Sequence, residues 1–383
     1  MGLASRLLSI ASIALLYLLG VQSLNFFSLK KLGRFPKKED YPFVSILVPA
    51  RNEERNIEKC IKSLLQQNYP NYEIIVLDDE SEDRTWQILS RLAQGNDNLH
   101  LLKGKPLPED WLGKCWACHQ LSEKARGEYL LFVDADTVHK PSMLHSVMDT
   151  ARFYQADLIS GLPHEKVETF SELLTIPLIS WGILAALPLP LAFALPHPGL
   201  SITIGQLLLF KRESYDRING HIAVKDHVCE DMALGRLIKA KGFRWRLVDA
   251  GEVTECRMYT NLSEAVDGLS KTIFGALNFR ILLIFLFSLL LGLMFCFPPW
   301  LLLKSLVKPL PRSLVREALI PGVLGFLSWR MANHRFRVPW YATLFYPVIS
   351  ALAIFIFLRS MILTVAGRAQ WKGRVIAIRR INW

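Results

Sequence analysis

The stretch YLLFVDADT, Tyr129 to Thr137, decides how this chain is read. An apolar run, Tyr129 to Val133, ends abruptly in two carboxylates, Asp134 and Asp136. A central strand of a doubly wound α/β sheet is covered on both faces, so it is written as a continuous apolar run, and ligands gather beyond its carboxyl end. The run therefore reads as a buried strand that presents Asp134 and Asp136 at its tip. Two hard oxygen donors there suit Mg²⁺ or Mn²⁺, which take one or two protein carboxylates and fill the remaining shell with substrate phosphates and water. The same D-x-D also reads as an Asx turn capping Pro141 and the helix after it. The sequence around it bears on the choice.

Upstream, VSILVPARNEERNIEKCIKSLLQQ predicts a strand over Val44 to Val48, a turn over Pro49 to Asn52 and, from Glu54, an amphipathic helix with Ile57, Ile61, Leu64 and Leu65 inward. Next, NYEIIVLDDESEDRTWQIL predicts a strand over Glu73 to Leu77, with Asp78 and Asp79 at its end and Ser81 or Asp83 capping the following helix. Strands that end in acids and alternate with helices of about a dozen residues make a nucleotide-binding α/β domain. No G-x-G-x-x-G follows the first strand and no G-x-x-x-x-G-K-[ST] occurs anywhere, so neither a dinucleotide fold nor a P-loop is supported.

The order VPARNEE, IIVLDDESEDRT, GKCWACHQLSEKARGEYLLFVDADT, GQLLLFKRESYDRINGH, CEDMALGRLIKAKG, spread over residues 44–253, resembles the family 2 glycosyltransferases of GT-A fold. Motifs in the right order are far more specific than any one of them. The resemblance implies a GT-A nucleotide-diphospho-sugar transferase fold, an α/β doubly wound mixed sheet. It implies that the turn of Pro49, Ala50, Arg51 and Glu53, with Asp79, holds uridine. Asp134 and Asp136 would meet the ribose and the metal-bound diphosphate, Lys114 would lie beside the sugar nucleotide, and Asp231, next to Glu230, would be the catalytic base.

The chemistry agrees with those roles. Glycosyl transfer needs the leaving diphosphate neutralised, which a divalent ion does as Lewis acid, and a carboxylate to take the proton of the attacking hydroxyl. One Asp base opposite the leaving group gives single displacement with inversion, since no second carboxylate acts as nucleophile. Glu230 and Asp231 also suit the start of a helix over Met232 to Ala240, whose dipole favours acids there.

The chain departs from many membrane members in lacking Q-x-x-R-W after the acidic motif. It has Arg257-Met258-Tyr259-Thr260 and then GLSKTIFGALN, Gly268 to Asn278. In this it resembles the subset that glycosylates carotenoids and related bacterial lipids, including hopanoid-associated enzymes. Arg257 and Lys271 read equally as cations for the diphosphate and as ordinary membrane-flanking charges. The missing motif argues against a processive polysaccharide synthase. The expectation is transfer of a hexose from a nucleotide sugar, UDP-glucose first, to a membrane lipid, a carotenoid before a hopanoid or ceramide. A nucleotidyl- or phosphotransferase could use the same strand-end acids but would want more cations in the first loop than Arg51 and Arg55. A non-enzymatic membrane scaffold would need no strand-end acids.

At 383 residues and 51% hydrophobic, the chain is too apolar to be wholly soluble. Leu7 to Leu29 and Ile281 to Leu303 carry no charge, and each is long enough for a hydrocarbon core about 30 Å thick. Trp340 to Leu358 is a third candidate. Leu173 to Phe210 is also uncharged, but Pro177, Pro188, Pro190, Pro196 and Pro198 oppose a continuous span. It reads either as a membrane-apposed segment followed by a strand around Ile204 to Phe210, or as a buried hairpin. A weak span around Leu314 to Trp329 is opposed by Arg316 and Glu317. The expected layout is an anchor at 1–29, a catalytic domain at 41–256 with 173–200 against the membrane, an interface segment at 257–280, a membrane region at 281–365 and a basic tail at 366–383.

Val21-Gln22-Ser23 offers a tolerable cleavage site, but Lys30, Lys31, Arg34, Lys37 and Lys38 follow at once, and positive residues stay cytoplasmic. That predicts an uncleaved anchor in a bacterial cytoplasmic membrane with the catalytic domain inside. The net charge of +11 sits largely beside apolar segments, where it meets anionic lipid, and no nucleic-acid motif accompanies it. Cys115, Cys118 and His119 spell C-x-x-C-H, the c-type haem attachment pattern. Their place on a predicted helix, Lys114 to Ala125, makes them small buried hydrophobes instead, and no haem is expected.

Overall fold

The computed structural model describes residues 2–33, 41–372 and 374–375; Arg34, Lys37 and Lys38 of the basic run and Arg379 and Arg380 of the tail lie outside them. The chain divides into two compact units: Leu29–Lys166 with Leu191–Met258, and Met1–Ser28 with Val167–Pro190 and Tyr259–Trp383.

Among the described residues, the first unit is built on ten strands: β1 (Val44–Ala50), β2 (Tyr72–Asp78), β3 (Leu99–Lys103), β4 (Tyr129–Val133), β5 (Thr137–His139), β6 (Leu158–Leu162), β7 (His164–Glu165), β8 (Leu207–Lys211), β9 (Trp245–Asp249) and β10 (Thr254–Cys256). Seven form one sheet in the order β3-β2-β1-β4-β8-β6-β9. Every pairing is parallel except those of β8 with β4 and β6, so the sheet is mixed. Leu130 to Val133 are all buried, as continuous apolar writing requires when both faces are covered. On the Ile57–Leu65 helix, Ile57, Ile61 and Leu64 recur at helical spacing and are fully buried with Ile46, Val76 and Leu131.

Because β1, β2 and β4 are parallel, their carboxyl ends open on one edge of the sheet, with Ala50 level with Asp78. A second, three-stranded sheet, β5-β10-β7, follows that edge. Its register sets Cys256 against Thr137 on one side and against Glu165 on the other. Glu165 is thereby carried to within one strand of the residue that follows Asp136. Leu29 to Gly33 also belong to this unit: Leu32 donates to Asp249 O at 2.9 Å, Asp249 donates to Lys30 O at 2.8 Å, and Lys31 pairs with Glu252 at 2.6 Å.

Three local expectations shift. The strand predicted from Ile204 begins at Leu207, because the Ile204 backbone is bonded to the Ser160 hydroxyl, its N–H donating at 2.8 Å. The helix expected from Met232 starts at Glu230. Ser81 accepts from Asn52 N–H and Asp83 alone serves the helix Thr85–Ala93, accepting from Thr85 N–H at 2.9 Å.

The second unit is mainly helical. Among the described residues, three helices are long and apolar enough to cross a membrane: Leu3–Ser28, Ile281–Val307 and Trp340–Val365. The second contains a π-helical turn at Gly292–Cys296. The weak candidate around Leu314 is a 24-residue helix, Arg312–Arg335, outside that set. It runs parallel to Leu3–Ser28, since the Ser5 hydroxyl donates to Glu317 near both starts and Phe26 stacks on His334 at 6.2 Å near both ends. Pro177 lies inside the helix Phe170–Ala185 without ending it. That helix starts in a capping box of Thr169 and Glu172. Its last turn is served by Asn25, whose amide donates to Leu184 O and Leu187 O at 2.8 Å, satisfying carbonyls that a helix end leaves open.

Candidate active site

The ends of β1 and β2 are knitted together by hydrogen bonds. Asp79 N–H donates to Ala50 O at 2.8 Å, and Arg51 Nη1 donates to Asp79 O at 2.6 Å and Glu80 O at 3.1 Å. Asn52 and Glu80 hold positive φ angles of 51° and 55°, a conformation that polar turn residues tolerate better than branched ones. The N–H groups of Asn52, Glu53 and Glu54 donate to Ser81 Oγ, Thr85 Oγ1 and Asp83 Oδ2 at 2.9, 2.8 and 3.0 Å. Pro49, Ala50, Arg51 and Glu53 thus form one loop wall with Asp79, which is buried. Asp78 Oδ1 is buried and has no hydrogen-bond partner among the described residues.

The end of β4 is organised by charge. Asp134 O accepts from Thr137 N–H at 3.2 Å and from its hydroxyl at 2.7 Å, which tightens the turn. The Asp134 carboxylate meets Lys114 Nζ at 2.9 Å, and the same Nζ meets Glu230 Oε1 at 3.0 Å. Lys114 comes from the first turn of the helix Gly113–Lys124, and Glu230 and Asp231 from the first turn of Glu230–Ala240. Burial works against the Lys114 charge, but Asp134 and Glu230 outweigh it and push the pKa well above the ordinary lysine value. Asp231 Oδ1 accepts from Met232 N–H at 2.7 Å. Burial, then the neighbouring Glu230, pushes the Asp231 carboxyl up to about 7, with Lys114 pulling the other way.

Sequence reasoning missed three residues here. Glu165 Oε1 accepts from Gln206 Nε2 at 2.7 Å, and its Oε2 is shut off from solvent. Burial raises its carboxyl to about 8, the Gln206 hydrogen bond opposes this, and Asp136 and Asp134 add to it. Gly205 lies against Lys114 and Asp231: a Cβ there would sit 3.2 Å from Lys114 Nζ and 3.3 Å from Asp231 Oδ2. Gly205 and Gln206 stand within a recognised motif, GQLLLFK, but nothing local marks their neighbours; Glu165 has no sequence signal, because its place depends on the register of β7 with β10. Arg257 follows β10 directly and is half-buried. Cys115 and Cys118 are buried on their helix, and Cys115 Sγ donates to Val224 O at 3.4 Å.

The acids fit a divalent cation. Asp134 and Asp136 offer hard oxygens at a strand end, with Asp136 Oδ1 shielded from solvent. Among the described residues no group of three His, Cys, Asp or Glu side chains would hold an ion by itself. That donor set suits an ion sharing its shell with phosphate oxygens.

The mixed sheet carries acids at the tips of β2 and β4, and Lys114 joins the β4 acid to an acid pair on a helix. Residues 45–218 match the family described as Glycosyl transferase family 2. It is 26% identical over 204 residues to a 4,4'-diaponeurosporenoate glycosyltransferase of Staphylococcus haemolyticus, 50% of each chain. It is 41% identical over 109 residues to a beta-monoglucosyldiacylglycerol synthase of a Nostoc species, covering 28% of this chain and 23% of that one. The chain thus spans half or less of the length of these two relatives. A mannosyltransferase from Pyrobaculum calidifontis, solved with GDP-Man and Mn²⁺, superposes with a TM-score of 0.52 at 17% identity, over 94% of this chain and 99% of that one, which shows a shared fold.

Proposed function

We propose that the protein is an inverting, metal-dependent hexosyltransferase that moves one sugar from a nucleotide sugar, UDP-glucose first, to a hydroxyl or carboxyl group of a membrane lipid. The observation that carries this is Lys114 Nζ, within 3.0 Å of both Asp134 and Glu230. Through it the donor-side acids and the acid pair holding Asp231 become one site. Asp231 takes the proton of the acceptor O–H, a bond forms from that oxygen to the anomeric carbon, and the bond from that carbon to the diphosphate breaks with inversion. With its carboxyl raised to about 7, Asp231 exchanges a proton near neutral pH, where a general base is most effective. Asp134 and Asp136 would hold Mg²⁺ or Mn²⁺, which would supply positive charge against the leaving diphosphate. Pro49 to Glu53 and Asp79 hold the nucleoside. Lys114 neutralises Asp134 and Glu230, so that a diphosphate is not repelled from an otherwise acidic site.

A lipid acceptor is supported by the three helices able to cross a membrane and by relatives named for a carotenoid acid and a diacylglycerol product. A long apolar acceptor keeps its chain in lipid while its polar end reaches the base, because exposing apolar surface to water costs about 25 cal/mol per Å². A carotenoid comes first. Lys30 and Lys31, directly after the first apolar helix, support a catalytic unit on the cytoplasmic side.

The test is to supply purified enzyme and Mn²⁺ with UDP-glucose and related donors, offering hydroxylated or carboxylated carotenoids, hopanoids, diacylglycerol and ceramide in detergent. Sugar on a lipid is the expected product. Transfer only to a water-soluble oligosaccharide would reject the lipid acceptor, and nucleotide binding that ignores added metal would reject the cation.

A further inference from the structure

One short segment touches both halves of the site, and the proposed function does not use it. Thr203 to Gln206 precede β8 as irregular backbone, yet each residue is fixed. Thr203 packs so closely on the Glu230–Ala240 helix that a Cβ on Gly235 would come within 2.0 Å of Thr203 Oγ1. Ile204 N–H donates to Ser160 Oγ at 2.8 Å, and that hydroxyl also reaches Ile204 O at 3.3 Å. Gln206 Nε2 donates to Glu165 at 2.7 Å, and Glu165 is one strand removed from the residue that follows Asp136. Between these ties sits Gly205.

A backbone held on three sides does not yield to a new atom. A methyl group on Gly205 would meet Lys114 Nζ at 3.2 Å and Asp231 Oδ2 at 3.3 Å, both tighter than ordinary van der Waals contact, so the lysine or the carboxylate must move. We propose that Thr203–Gln206 is a strap that sets the reacting groups in register, with Gly205 a positioning residue for Asp231 and Lys114, and Gln206 a positioning residue for the Asp136 end through Glu165. The inference rests on the reading of Asp231 as base. The strap explains why glycine occupies a position whose backbone needs no positive φ: the missing side chain leaves room for Lys114 between the two acid pairs.

The experiment compares purified full-length Gly205→Ala with the parent protein. A shift of a few tenths of an ångström at a general base lowers kcat by about tenfold, given that a misplacement of about 1 Å costs about a hundredfold. Affinity for UDP with Mn²⁺ should stay within about twofold, since the β1 and β2 loops are untouched. The acid limb of the kcat profile should move to higher pH, because Lys114 lowers the Asp231 pKa and displacement weakens that effect. Gly199→Ala, where a new Cβ meets only the His197 ring, should behave like the parent. A kcat and pH profile for Gly205→Ala equal to the parent's would overturn the strap. If Gly205→Ala does not fold, Gln206→Leu tests the same idea without adding bulk beside Lys114: a severalfold loss of Mn²⁺ affinity at unchanged thermal midpoint is expected, and unchanged Mn²⁺ affinity overturns it. Normal turnover in Asp231→Asn would sink the base reading, whereas an inactive Asp231→Asn beside a normal Gly205→Ala would sink only the strap.

Discussion

The tips of β2 and β4 carry the same signature, an apolar run closing on aspartates, but the structure treats them differently. At β2, Asp79 is bound through its backbone to Ala50 and Arg51, and the loop around it is held by neutral or singly charged hydrogen bonds. At β4, Asp134 is bound through its carboxylate to a half-buried lysine that also holds Glu230. Backbone bonding shapes a wall and leaves little charge to change. Carboxylate pairing makes the protonation of each group depend on its neighbours, as at functional sites where pKa values are pushed away from their ordinary range. In the proposed function, the two similar motifs would serve as a binding wall and a reactive centre.

The sharpest way to break this comparison is Asp136→Ala, expected to lower kcat/KM by at least about a thousandfold and to remove the metal dependence of UDP binding, as loss of a cation's charge stabilisation would. Isothermal titration with UDP, with and without Mn²⁺, checks it; unaltered metal dependence would detach the β4 tip from the cation. Next is Asp231→Asn, with kcat down by about 10²- to 10⁴-fold and UDP affinity kept. In the parent protein kcat should fall as the pH drops below about 7, where the raised Asp231 carboxyl takes up its proton and can no longer act as base. A flat profile from pH 5 to 8 would contradict this.

Asp79→Ala sharpens the other side. It should raise the donor KM about ten- to a hundredfold, the worth of a hydrogen bond to a charged group, with kcat little changed. A loss confined to kcat would mean that the β2 tip is reactive too. The smallest effect belongs to the helix that carries Lys114. Replacing Cys115 and Cys118 with Ser should leave transfer near the parent rate and lower stability by about 1–2 kcal/mol, since both thiols are buried, and burial pushes their pKa values well above the ordinary thiol range. Covalent haem absorbance on the purified protein would overturn that reading.

Much of the fold was legible because its signals are local. Apolar runs located β1, β2 and β4, the last two closing on aspartates, and the spacing of Ile57, Ile61 and Leu64 located the first helix, since burial on two faces or on one stripe writes itself directly into sequence. Long uncharged runs located three apolar helices for the same reason. The Arg312–Arg335 helix was obscured by Arg316 and Glu317, and Glu317 is met by Ser5 from the far end of the chain. Pro177 suggested a break that its helix does not have.

The sequence by itself determined the α/β class, the order of strand-end acids, and the resemblance that named Asp231 and Lys114, because each rests on neighbours along the chain. Only the tertiary structure decided which charges meet. Lys114, Asp134 and Glu230 are joined across 20 and 116 residues by the packing of two helices against one sheet edge. Glu165 reaches the site through strand register, and Gly205 matters only because two side chains from elsewhere fill the space that a Cβ would take. Pairing of that kind is set by the sheet and carries no period, motif or spacing that a linear reading detects.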